Sequence, residues 1–210
     1  MRIAIGSVRL ALAALMLAAV VATYLGTVAR IGAAPNPFNF FGYFTIQSNL
    51  LGIAALLLSG VALLQSTGGR TGPRWLPAFR GAVVAYIVVV GLVYAVLLAP
   101  LGLEGGAPVP WANFVLHVVS PILIPLDWLL VADRPALPWR RLWVVLPYPA
   151  VWLTVVLIRG ASDGWVPYPF LAPENGAWSI ALVCFGIALT ILAAAALATG
   201  LSRARIIRVD

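Results

Sequence analysis

Two short polar stretches interrupt an otherwise apolar chain: Phe44-Thr45-Ile46-Gln47-Ser48-Asn49-Leu50 and Asn113-Phe114-Val115-Leu116-His117-Val118-Val119-Ser120-Pro121. The second holds the single histidine of the protein. Thr45, Ser48, Asn49 and Gly52 follow i, i+3, i+4, i+7 spacing, and Asn113, His117, Ser120, Ile124 and Asp127 keep to one helical face in the same way. Lipid cannot satisfy such faces, so they point at each other or into a cavity. Thr45 lies about one helical turn inside its apolar segment and His117 about two turns inside its own, at similar depth if both enter from one side. A hydroxyl and an imidazole within reach of each other are the minimum parts of a nucleophile–base pair. Asn49 and Asn113 are the candidate donors to a developing oxyanion. Ser48 and Ser120 complete the polar faces.

The same residues have a plainer reading. Ser, Thr and Asn hold membrane helices together by hydrogen bonds across the seam. A histidine inside a span is rarer and marks a functional site by default. One His, with one Cys on a distant span and no carboxylate close in sequence to either, does not make a metal site. Haem or quinone carriers show paired helix histidines, which this chain lacks. A P-loop, a dinucleotide fingerprint and a Gly-x-Ser-x-Gly elbow are missing too, so no cofactor is expected. Asp127 lies ~15 Å along the helix from His117 and reads as an interhelical hydrogen-bonding group, with proton coupling as the alternative. Cys184 reads as a small buried apolar residue.

These faces need a scaffold, and composition says which kind. Of 210 residues 63% are hydrophobic and 9% charged, with mean hydropathy +1.05. A soluble surface needs more charge than that, so the chain is expected to be an integral membrane protein. Six apolar stretches span a ~30 Å hydrocarbon core at roughly 20 residues each: about 8–29, 42–64, 79–98, 111–131, 142–158 and 177–200. The fold class is all-α, one six-helix membrane domain over residues 1–210. Pro121 and Pro125 should kink or open the fourth span just beyond His117. The Ala-rich sixth span should pack closely.

The net charge of +7 does not indicate nucleic acid, because the basic residues lie in short loops and tails between spans. All thirteen are arginine, and the Ala/Gly/Val/Leu-heavy usage hints at a GC-rich bacterial genome. Eleven of the thirteen fall in the N-terminal, second-loop, fourth-loop and C-terminal segments, leaving Arg30 and Arg159 opposite, with Glu104, Asp163 and Glu174. The positive-inside rule then puts both termini in the cytoplasm and Thr45 and His117 near the outer face of a bacterial inner membrane. The N-terminal apolar run is too long for a signal peptide and reads as a retained helix. Trp111, Trp165 and Tyr168 read as outer-interface anchors, the last two also placed to roof a pocket.

The chain resembles the androgen-induced-gene family of multi-pass membrane hydrolases and its bacterial relatives. The matching features are Tyr43-Phe44-Thr45, His117 with Pro121, Tyr148, Trp152, Gly164-Trp165-Val166 and Tyr168-Pro169-Phe170, in that order from about residue 40 onward. The resemblance implies a six-helix fold and, as in the animal members, hydrolysis of fatty acid esters of hydroxy fatty acids. It implies Thr45 as nucleophile, His117 as its partner, and Gly164 to Phe170 as residues shaping the site. The chain departs from the animal members at Gln47, Ser48 and Asn49, which make the helix more polar.

The leading expectation is therefore a lipid-ester hydrolase whose partners are the bilayer and a fatty-acyl ester, with the oligomeric state open. A non-catalytic lipid- or small-molecule-binding protein or transporter is the alternative, with Asp127 and His117 handling a proton. A structural membrane protein is the third reading.

Overall fold

In hydrocarbon the backbone has no partner but itself, so uninterrupted runs of Ala, Leu and Val close into helices. The computed structural model describes residues 1–66, 72–102, 108–204, 206, 207 and 209. Among these, the chain is helical throughout its ordered elements, apart from an isolated bridge between Val131 and Ile207. Six helices are long and apolar enough to cross a membrane: α1 Arg2–Ile31, α3 Phe44–Gln65, α4 Leu76–Leu98, α5 Pro110–Leu130, α6 Trp139–Ser162 and α7 Ala177–Leu201. A one-turn helix, α2 Pro37–Phe40, lies between the first two. The protein is an integral membrane protein. The loop residues Arg70 and Glu104 and the tail residues Arg205 and Arg208 lie outside the described residues.

Three boundaries differ from the sequence reading. α1 starts at Arg2, which places Arg9 inside a helix rather than ahead of one. The Pro/Asn-rich connection forms α2 because the Asn36 side chain accepts from the Phe38 N–H at 2.9 Å and Pro37 pre-sets the first turn. Arg140 and Arg141, expected in a loop, lie in a 3-10 segment, Trp139–Val145, that opens α6.

α4 is the centre of the bundle and packs against α3, α5 and α7. α1 lies along α3, where Gly6 and Gly60 face each other; a Cβ on either would come within 3.2 Å of the other's carbonyl oxygen. Small residues here let the backbones touch. α6 and α7 are peripheral: in their apolar windows only 11% and 17% of residues are buried, against 56% in α3. The expected close packing of the Ala-rich last span is confined to its final turns, at Ile191, Ala194, Ala195, Ala198 and Thr199. The 3-10 opening of α6 packs on α7, and a cleft lies between the two helices beyond it.

Both termini lie on one face. Arg2 donates to the Ser66 carbonyl, and Ile207 exchanges backbone hydrogen bonds with Leu130 and Ala132. Just inside this face sits a four-charge cluster. Arg9 Nε donates to Asp127 at 2.9 Å and Arg9 Nη1 to Asp133, while Arg80 donates to both carboxylates at 2.9 Å. Arg9 and the Asp133 side chain are each only 1% exposed. Two positive and two negative charges cancel, which is what makes their burial tolerable. Trp128 lies beneath, its ring centroid 4.1 Å from the Arg134 guanidinium carbon and its Nε1 donating to the Ala198 carbonyl.

On the opposite face the helices loosen in a patterned way. Tyr94–Leu98 and Val115–Val119 are π-helical turns, and each runs up to a proline, Pro100 and Pro121. In the second, the Ser120 N–H reaches back five residues to the Val115 carbonyl. The next bond in that register would come from Pro121, which has no N–H, so the Leu116 carbonyl is orphaned. Asn49 Nδ2 at 3.2 Å and Ser120 Oγ at 3.1 Å supply it instead. Gly91 sits against this point, where a Cβ would stand 2.6 Å from the Pro121 ring, and its bareness lets α4 approach α5.

Candidate functional site

Thr45 is the second residue of α3, in the turn whose N–H groups have no intrahelical carbonyl to bond and where the helix dipole is positive. Tyr168, in the connection between α6 and α7, meets both of its polar groups. The Thr45 N–H donates to the Tyr168 hydroxyl at 3.2 Å, and the two hydroxyl oxygens lie 3.3 Å apart. Burial pushes the Tyr168 phenol up to about 12, so at neutral pH it keeps its proton and can donate.

An aromatic frame holds Tyr168 over α3. Tyr43 and Phe170 contact its ring at centroid distances of 5.8 and 5.2 Å, and Trp152 at 6.1 Å. Phe44 packs on Tyr148 and Trp152. The Trp152 indole donates to the Gly42 carbonyl at 2.8 Å, and the Tyr148 hydroxyl to Gln47 at 2.9 Å. Trp165 packs edge-on against Tyr43, under the Arg159 guanidinium at 4.2 Å. Every motif outside α5 that carried the family resemblance meets here, around the first turn of α3.

His117 lies in the π-helical turn of α5, 4% exposed and stacked on Tyr94 with ring centroids 4.4 Å apart. Its Nδ1 is 3.1 Å from the Asn113 carbonyl. A carbonyl only accepts, so Nδ1 carries the proton, and in the neutral ring Nε2 then presents a lone pair, as a general base requires. Thr45 and His117 line one cavity of about 200 Å³ on the face opposite the termini, together with Thr27, Arg30, Asn39 and Tyr43. The hydrogen bond of the Thr45 hydroxyl goes to Tyr168 and not to His117.

Thr45 also lines a second cavity. This one, of about 320 Å³, is apolar and runs between α4, α6 and α7, walled by Val89, Val93, Leu153, Phe170, Cys184 and Ile187 among others. Cys184 is half-buried and faces this space rather than sitting in the core, which corrects the expectation for it. Thr45 thus lines two cavities, one almost wholly apolar and one with more polar groups on its walls.

The other expected residues sort differently. Asn49, expected as an oxyanion donor, has its amide engaged within the bundle: its two amide hydrogens go to the Thr45 and Leu116 carbonyls at 2.9 and 3.2 Å, and its oxygen accepts from Ser120 at 2.7 Å. Asn49 and Ser120 are helix–helix fasteners that repair the proline gap. Asn113 donates to the Tyr94 hydroxyl at 2.9 Å and lies behind His117. Ser48 is fully buried and lines neither cavity. Trp165 lines the polar cavity as well as anchoring the loop, while Trp111 is half exposed at the end of α5. Asp127 is bound to Arg9 and Arg80 and takes no part in this site. Tyr94 and Arg30 were missed by sequence reasoning. Tyr94 had one available signal, a hydroxyl near the end of an apolar span just ahead of Pro100.

No family model, curated protein or solved structure matches the chain.

Proposed function

We propose that the protein hydrolyses fatty-acyl esters within the membrane, with Thr45 as nucleophile and His117 as base. The observation that carries this is that one residue with a hydroxyl, the buried Thr45, lines both an apolar cavity suited to an acyl chain and a more polar cavity that is also lined by His117. A transporter or simple lipid-binding protein has no need of that junction, and Asp127, its best proton carrier, is committed to two arginines.

In this reading the acyl chain lies between α6 and α7 with its carbonyl at Thr45. His117 Nε2 takes the Thr45 proton, directly or through one water, as Oγ1 bonds to the carbonyl carbon. The first-turn amides of α3 and the Tyr168 hydroxyl take the place expected of Asn49 and Asn113 as donors to the oxyanion. The alcohol leaves with a proton from His117, and water then cleaves the acyl-threonine by the same route. The arginine distribution favours a site near the outer face of a bacterial cytoplasmic membrane, within reach of water. The family resemblance around Thr45, His117 and Tyr168 points to the same chemistry.

Covalent labelling of detergent-purified protein with a lipophilic fluorophosphonate tests the proposal. Labelling in the wild type, lost in Thr45→Ala and His117→Ala with both still folded, is the expected result. A wild type that does not label removes the activated threonine.

Two substitutions probe the halves of the site. Tyr168→Phe should lower kcat by about a hundredfold, the size of a lost oxyanion donor, with KM little changed. Steady-state turnover of a long-chain ester measures it. Cys184→Trp fills the apolar cavity with an indole, so turnover of long-chain esters should fall while short-chain esters are still cleaved. Equal rates across chain lengths would show that the acyl group lies elsewhere.

A further inference from the structure

A base that takes a proton inside a membrane protein becomes a buried cation, and a neighbouring group must make that charge tolerable. Tyr94 is placed to do so. It opens the π-helical turn of α4, and His117 sits at the centre of the π-helical turn of α5. Such turns are rare and gather at functional sites. The two rings are stacked, with centroids 4.4 Å apart and planes 27° from parallel. The helices approach this closely because Gly91, one turn before Tyr94, has no side chain. A Cβ there would stand 2.6 Å from the Pro121 ring and 3.7 Å from the His117 carbonyl oxygen. The Tyr94 hydroxyl also accepts from the Asn113 amide at 2.9 Å, and the Asn113 backbone carbonyl is the partner of His117 Nδ1 at 3.1 Å. One tyrosine therefore reaches the imidazole twice, through its ring face and through the residue that fixes the tautomer.

We propose that Tyr94 is a positioning residue for His117: its ring holds the imidazole at the polar cavity and stabilises the imidazolium that forms when Nε2 accepts a proton. The face of a tyrosine ring is negative, so a cation within about 6 Å of its centroid is attracted, most strongly where water is scarce. The Nδ1 side of His117, where a triad carboxylate would bond, is taken by the Asn113 carbonyl, a dipole rather than a full charge. The Tyr94 face supplies part of the stabilisation that such a carboxylate gives. Among the described residues, the other charged or titratable groups that line the cavity with His117 are Arg30 from α1 and Tyr43 ahead of α3. The Arg30 charge opposes an imidazolium, and the ring acts against that opposition. The step served, proton transfer from Thr45, rests on the hydrolase reading; the coupling of Tyr94 to the charge on His117 does not.

His117 is the one histidine in the chain, so protein carrying a histidine-free tag and 13C-labelled at the imidazole gives a single titrating NMR signal in detergent. Tyr94→Leu fills most of the space but removes the aromatic face, and the titration midpoint should fall by about one pH unit. Tyr94→Phe keeps the face, and the midpoint should stay near that of the wild type. Pentafluorophenylalanine at the same position keeps the shape of Phe and reverses the charge of the face. It should lower the midpoint as Leu does, which answers the question if Leu disturbs the packing. In ester hydrolysis, the acid limb of kcat/KM should move to lower pH in Tyr94→Leu, with the plateau down about tenfold. A purely structural role would lower the plateau and leave the limb in place. If no ester turns over in the wild type but the midpoint follows the ring, the hydrolase reading fails and the assignment of Tyr94 stands. If esters turn over and the midpoint is the same with Tyr, Leu and the fluorinated ring, Tyr94 only fills space and the hydrolase reading stands.

Discussion

Thr45→Ala should lose ester hydrolysis by about a thousandfold or more, the scale seen when a nucleophile is deleted. The fold should survive the change. The Thr45 hydroxyl makes one hydrogen bond, to the Tyr168 hydroxyl, and the backbone N–H of residue 45 still holds that phenol after substitution. The stability cost is then about 1 kcal/mol, a small shift in melting temperature. His117→Ala should match the loss of activity and cost more stability, because it empties a buried site and removes the stack on Tyr94. Thr45→Ser keeps the hydroxyl and should keep measurable turnover. Hydrolysis assayed in detergent alongside thermal unfolding separates the outcomes. Thr45→Ala turning over at the wild-type rate would assign the nucleophile elsewhere.

Asp133→Asn should be the most damaging single substitution to the fold, at about 3–5 kcal/mol, because it leaves two buried guanidinium groups sharing one carboxylate. The pH dependence has a definite sign. Burial alone would raise the Asp133 carboxyl, but Arg80 and Arg9 outweigh it and hold the group at about 2, below its ordinary 3.8. A depressed carboxylate stabilises the folded state above the ordinary value, and that contribution fades as pH falls from about 4 toward 2. Thermal unfolding in detergent across that range should show a falling melting temperature in the wild type and a flatter profile in Asp133→Asn. Asp127, whose side chain is 19% exposed, shares its charge with solvent, so Asp127→Asn should cost less. A melting temperature for Asp133→Asn equal to that of the wild type would mean the cluster contributes nothing to stability.

The number of spans, their approximate limits and the all-helical class were legible in the sequence, because hydrocarbon leaves an apolar backbone one solution and periodicity is not needed to find it. The two polar stretches were legible as well, since a polar residue in a greasy run stands out by type alone. Thr45 and His117 do share a cavity, as equal depth on their spans led one to expect. Spacing along a helix could not tell which polar residues face a cavity and which mend the backbone. Asn49 and Ser120 look like site residues in sequence, and only the π-helical register of α5, with Pro121 withholding its N–H, shows that the Leu116 carbonyl claims them.

Long-range pairing was beyond reach for the same reason. Arg9 read as a topology signal and Asp127 as a polar spot on a helix face; 118 residues separate them, and only the packing of α1 and α4 against α5 puts both arginines between two aspartates. Tyr168 is 123 residues from Thr45, on a connection whose course no local pattern dictates. Composition and local spacing determined which segments enter the membrane and which residues are costly there. Tertiary structure decided how each of those costs is met, because the partner that satisfies a buried polar group is chosen by proximity in space.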